Sequence, residues 1–164
     1  MKETRRQIIW ELGLMLAASA VLLFAAWLTR PVPVVTDSLQ TELLSVHVYR
    51  DGGYLSWYPK DMVQRQTARA ITDHMARCRE RNTLRRAREV LGEAPEIQVY
   101  FRTEDTYRVV HLGSREDPDR VIGWSGDQAR TGLAAQVRDP KGLEAYILEQ
   151  IGQELTNEEG GGHP

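Results

Sequence analysis

The sequence is poor in the motifs that carry chemistry. Its 164 residues hold one cysteine, Cys78. No intramolecular disulfide can form, so the fold must rest on its core. No CxxC pair and no HExxH occur, and the histidines His47, His74, His111 and His163 are dispersed. The usual spacings of a zinc site are therefore missing. Ser56, Ser114 and Ser125 lie in no GxSxG context; Gly123-Trp124-Ser125-Gly126 is a loose echo, followed by residues that read as loop rather than helix. Asp105, Asp117, Asp119 and Asp127 do not keep calcium-loop spacing. No catalytic, cofactor-binding or metal-binding residue can be assigned. Lysine is scarce, 3 against 18 arginines, and the net charge is −2. That balance argues against a dedicated nucleic-acid binder.

What the chain does have is one long uncharged run, Leu12 to Leu28. As a helix it spans roughly 26 Å, and Ile8–Leu28 about 32 Å, against a hydrocarbon core about 30 Å thick. A helix satisfies its own backbone polar groups inside a bilayer. Trp10 and Trp27 sit near the two ends, where aromatic rings favour the headgroup level. Trp10, Leu12, Trp27 and Leu28 are thus the expected anchor residues, with the lipid bilayer as partner. Pro31 and Pro33 would end the helix. Lys2, Arg5 and Arg6 precede the run and only Arg30 follows before Arg50. The bias expects a cytoplasmic N-terminus and an extracytoplasmic remainder.

A cleaved signal peptide has the same ingredients. Cutting after Ala18-Ser19-Ala20 would leave a strongly apolar start, and Phe24-Ala25-Ala26 puts a bulky residue where a small one is needed. A lipoprotein needs a cysteine after the run, and Cys78 is far from it. Gly13-x-x-x-Ala17 is a small-residue pair that suits helix pairing but is also ordinary composition.

The remainder reads as one α+β domain. Leu44, Val46 and Val48 alternate with polar residues, and Asp51-Gly52-Gly53 turns the chain into Tyr54–Tyr58, a hairpin. Asp61 and Gln64 form a capping-box pair before a helix with face Ala68, Ile71, Met75 and Cys78. Leu84, Ala87, Val90 and Leu91 suggest a second, shorter helix. Ile97–Arg102, Tyr107–Leu112, Arg120–Trp124 and Leu133–Arg138 read as strands. Asp139-Pro140 starts a last helix carrying Leu143, Ile147, Ile151 and Leu155. The expected architecture is a single N-terminal transmembrane helix, then an antiparallel sheet of about five or six strands: β-hairpin, helix, β-meander, C-terminal helix. The expected boundaries are a cytoplasmic N-terminus at 1–7, the span at 8–29, a tether at 30–38, the domain at 39–155 and a disordered tail at 156–164.

In Leu44–Tyr58, Ile97–Leu112 and Val137–Ile151 this order resembles that of small, uncharacterised, membrane-anchored surface proteins of Gram-positive bacteria (Bacillota). The resemblance is one of architecture. It implies an extracytoplasmic α+β domain and no particular reaction.

Two surfaces stand out. Residues 60–92 carry nine cations against four acids, +5, which leaves −7 for the rest. Arg65, Arg69, Arg77, Arg81, Arg85 and Arg88 are candidate contacts to anionic lipid or wall polymer. The ordinary alternative is a solvated face with i,i+4 pairs such as Asp73–Arg77. Tyr54, Trp57, Tyr100 and Trp124 are a candidate recognition surface, for a protein partner the sequence does not identify; packing in the core is the competing role. His74 and Cys78, four apart, could pair for metal or nucleophilic chemistry, although Cys78 also continues an apolar stripe. The function expected is a non-enzymatic binding or sensing module at the bacterial surface, the alternative a small cell-envelope enzyme or enzyme accessory subunit.

Overall fold

The computed structural model describes residues 2–50, 52–92, 94–103, 106–116, 122–127 and 132–159, with backbone alone at 2–6 and 156–159. The chain divides into two units, Met1–Arg30 and Pro31–Pro164.

The first unit is helix α1, Lys2–Leu28. Its stretch Gln7–Leu28 is long and apolar enough to cross a membrane, and none of those residues is buried. At 22 residues it measures about 33 Å. Thr29 donates to the Ala25 carbonyl through both its amide and its hydroxyl, and Arg30 N–H donates to Trp27, so helical bonding continues to Arg30. The Arg30 guanidinium lies 5.3 Å from the Trp27 ring centroid.

The second unit is a curled antiparallel sheet holding two helices. Its strands are β1 (Pro31–Pro33), β2 (Thr41–Arg50), β3 (Gly53–Trp57), β4 (Arg79–Arg86), β5 (Ile97–Thr103), β6 (Thr106–Leu112), β7 (Gly123–Asp127) and β8 (Leu133–Val137). The order across the sheet is β1-β4-β8-β7-β6-β5-β2-β3. Helix α2 (Met62–Arg77) touches both β1 and β2, which lie six places apart in that order, so the sheet wraps around it. Helix α4 (Pro140–Glu159) packs beside α2 and against β3 and β6.

Eight strands replace the five or six expected, and both additions have a physical reason. Residues 31–35, read above as tether, belong to the fold. Val32 pairs with Glu80, and Val34 and Val35 are buried in the core. The residues read as a helix from Leu84 are instead the end of β4 and a four-residue helix α3, Ala87–Val90. The spacing of Leu84, Ala87 and Val90 imitates a helical stripe. Pairing of β4 with β1 on one side and β8 on the other satisfies its backbone as a strand. Helix α4 runs to Glu159, past the expected start of the tail, and 160–164 lie outside the described residues. The turn residues Asp51, Glu104 and Asp105 and the expected strand start at Arg120 also lie outside them.

Several local signals are realised as read. Asp61 and Gln64 close both halves of the capping box. Asp139 accepts from Gly142 N–H at 3.0 Å at the start of α4. The core lies between the helices and one sheet face: Ala68, Ile71 and Met75 of α2 and Leu143, Ile147, Ile151 and Leu155 of α4 meet Val46, Val48, Val99, Phe101, Val110 and Leu112.

Candidate functional site

Residues paired across neighbouring strands point to the same side of a sheet. The register therefore builds one continuous row on the face away from α2 and α4. Ser56 opposes His47, His47 opposes Gln98, and Gln98 opposes His111. The row continues through Trp124 and Gln136 to Arg81. It crosses seven strands with hydrogen-bonding or aromatic side chains throughout.

His47 is the centre of its richest part. Ser56 Oγ lies 2.8 Å from His47 Nδ1 and Ser45 Oγ 3.0 Å from Nε2, so both ring nitrogens are held. Tyr54, Tyr58 and Tyr100 surround the imidazole edge to face, with ring centroids at 6.4, 6.0 and 5.2 Å. Partial burial pushes the His47 pKa below its ordinary value, because the charged form loses water. Beside it Arg115 lies over Tyr49 at 4.4 Å and Tyr54 at 5.4 Å. At the other end Arg85 lies over Trp124 at 5.4 Å. Between them α3 covers part of the face, where Ala87, Val90 and Leu91 meet Val109 and Ala134. Gly126 permits that approach: a Cβ there would sit 3.2 Å from Leu91 and 3.4 Å from Ala87.

The four aromatics expected to share a surface do not all do so. Tyr54, Tyr100 and Trp124 lie on this face. Trp57 opposes Val46, faces the core and is 2 % exposed, with its indole N–H donating to Glu154. Sequence reasoning missed His47, Ser45, Ser56, Gln98 and Gln136. A signal existed for His47 and Ser56: a hairpin that sets Arg50 opposite Gly53 necessarily sets His47 opposite Ser56.

The basic stretch is divided rather than continuous. Arg65, Arg69 and Arg77 lie on α2, Arg81 and Arg85 on β4 and Arg88 on α3. Arg69 pairs with Asp73 at 3.6 Å. Arg65 and Arg69 line a cavity of about 400 Å³ with Thr41, Glu42, Leu43, Pro59, Ala68 and Thr72. Trp10, Leu12 and Trp27 are exposed along α1 and Leu28 is partly exposed at its end.

A serine–histidine contact alone does not make a hydrolase; acyl transfer also needs free N–H donors aimed at an oxyanion. The amides around His47 belong to β2, which is paired on both sides. His74 and Cys78 fare no better. The His74 ring stacks on Tyr146 with centroids 3.8 Å apart. Burial, and next Asp139, push the Cys78 thiol above its ordinary pKa, while burial and Arg77 lower that of His74. A reactive cysteine needs the reverse shift. Folded protein at neutral pH is therefore expected to react with a water-soluble maleimide at least about tenfold more slowly than urea-unfolded protein. Equal rates would show a thiol that the fold leaves activated. Burial, with Glu96 alongside, also raises the Glu144 carboxyl, partly offset by Lys141. Among the described residues no group of three or more His, Cys, Asp or Glu could hold a metal ion.

No match emerges from comparison with protein-family models, curated proteins or solved structures. The functional reading rests on the geometry.

Proposed function

We propose that this is a single-pass membrane protein of the bacterial cell surface, with a cytoplasmic N-terminus and an extracytoplasmic domain that binds or senses a partner without catalysis. The span of α1 and the cations Lys2, Arg5 and Arg6 before it support the anchoring and its direction. The hairpin, helix, meander and closing helix are the ground for the likeness to anchored surface proteins of Bacillota. One observation carries the binding role: the row from Ser56 to Arg81 on the sheet face away from α2 and α4. Aromatic and arginine side chains, here Tyr54, Trp124 and Arg81, are the types that anchor interfaces. Their mixture suits a polar, acidic partner, whether a protein or an anionic wall polymer.

The test has two arms in intact bacterial cells making the full-length protein. External protease is expected to remove the domain and leave a fragment containing Leu12–Leu28; a shielded domain reverses the topology. A photoreactive amino acid at Gln136, exposed on the row, is expected to give a discrete crosslinked species. The same group at Glu149, exposed on α4, is expected to give none. Identical patterns at both sites would remove the row from the binding role.

A further inference from the structure

Strand directions sort the domain's surface. At one end of the sheet β1, β6, β8 and β2 begin, while β4, β7, β5 and β3 finish. The exposed aliphatic residues of the domain gather there. Leu39 (80 % exposed) precedes β2, Met62 (70 %) and Val63 (66 %) open α2 just after β3, Leu84 (70 %) lies near the end of β4, and Leu133 (46 %) starts β8. Tyr58 and Tyr107, also exposed, belong to the same end. Tyr54, at the start of β3, is the one exposed large hydrophobic at the opposite end among the described residues. Scattered exposed apolar residues need no explanation, but a set confined to one end does.

This is also the end at which the chain arrives from the apolar span. Pro31 is three residues beyond Leu28, a reach of no more than about 11 Å. Pro31 opposes Arg81, and β4 runs on past the point where β1 begins to Arg86, which opposes Leu133; the bulge between Asn82 and Arg86 shortens that run to the length of three β8 residues, about 10 Å. Lys60, Arg65 and Arg86 are exposed around the apolar set. The described acids at this end are Asp61, which caps α2, Asp37, which accepts from Leu39 N–H, Glu42, which pairs with Arg102, Glu154, which accepts from Trp57 and Gln64, and Asp127, which ends β7 opposite Arg108.

From this gathering we infer that the end of the sheet bearing Leu39, Met62, Val63, Leu84 and Leu133 is seated on an anionic bilayer surface. The aliphatic side chains enter the headgroup layer and the flanking cations meet lipid phosphates. The inference rests on the anchored reading of α1 and adds the domain's own contact with the membrane. It assigns Arg65 to lipid, and leaves outside the contact Arg77, at the far end of α2, and Arg85, which lies over Trp124.

The test uses full-length protein carrying Cys78→Ser and one new cysteine, reconstituted in phosphatidylcholine vesicles with or without phosphatidylglycerol. Leu84→Cys and Met62→Cys, labelled with an environment-sensitive dye, are expected to be quenched by headgroup-nitroxide lipid at least threefold more than Tyr54→Cys. The difference should grow with phosphatidylglycerol. Equal quenching at all three positions, with the protein floating alongside vesicles, overturns the docking and leaves the anchoring intact. Protein that fails to float with vesicles overturns both. Shielding of Leu84→Cys that persists in detergent and rises with protein concentration would assign this end to a second copy of the chain, and overturns the lipid contact. A melting transition matching that of the parent confirms that each variant is folded.

Discussion

Glu80→Ala is expected to destabilise the domain by about 3–5 kcal/mol, the cost of leaving the other half of a buried ion pair without its partner. Glu80 is 2 % exposed on the core side of β4. Arg108 Nη2 donates to one of its oxygens at 3.0 Å, and the Ser125 hydroxyl donates to the other. Arg108 also reaches Ser125 Oγ at 3.1 Å and the Val34 carbonyl at 3.4 Å. The group therefore joins β4, β6, β7 and the segment that follows β1. Removing the carboxylate takes away the acid that the guanidinium bonds within this group and leaves it the Ser125 hydroxyl and the Val34 carbonyl. The check is a double-mutant cycle by urea unfolding of full-length protein in detergent, read by tryptophan fluorescence. Glu80→Leu with Arg108→Met should be markedly milder than the sum of the two single changes. Additive costs, or a Glu80→Ala loss under about 1 kcal/mol, would show that the pair is not coupled as its geometry indicates.

Phe101→Ala should cost a similar amount, about 3–5 kcal/mol, for a different reason: it removes a buried aromatic ring and leaves a cavity. Phe101 is 1 % exposed in β5, with Leu43 of β2 and Arg108 of β6 as its cross-strand neighbours. Its centroid lies 5.9 Å from the Arg108 guanidinium carbon, so its loss also loosens the ion pair. Whole-domain stability is typically about 5–15 kcal/mol, so this single change takes a large share of it. The adjacent Arg102→Ala, on the exposed face, should fall within about 0.5 kcal/mol of the parent. The urea midpoints of the two variants make the comparison directly. A Phe101→Ala midpoint close to that of Arg102→Ala would mean that the sheet closes over the gap.

The divided legibility of the sequence follows from the range of each interaction. The span of α1, the capping box of α2 and the Asp139-Pro140 start of α4 depend on residues within about one helical turn of each other. Period-2 alternation in β2, β5 and β6 is equally local. These features were readable without a fold. β4 was not, because its strand character comes from Val32 on one edge and from Gln136 and Val137, more than fifty residues away, on the other. Trp57 faces the core rather than a surface, and composition does not say which way a strand faces. One step of register moves every side chain to the opposite side. The basic stretch looked continuous along the chain, whereas the fold distributes it over a helix, a strand and a short helix.

By itself, then, the sequence determined the apolar span, the α+β class, the two long helices and most of the meander. Each is encoded by neighbours in the chain, and burial of an amphipathic face needs no particular partner. Tertiary structure alone decided the pairing of β1 and β4 at one edge of the sheet, the Glu80–Arg108–Ser125 group, the His47 row and the gathering of exposed aliphatics at one end. Those depend on strand order and register across the sheet, which bring together residues that sequence distance keeps apart.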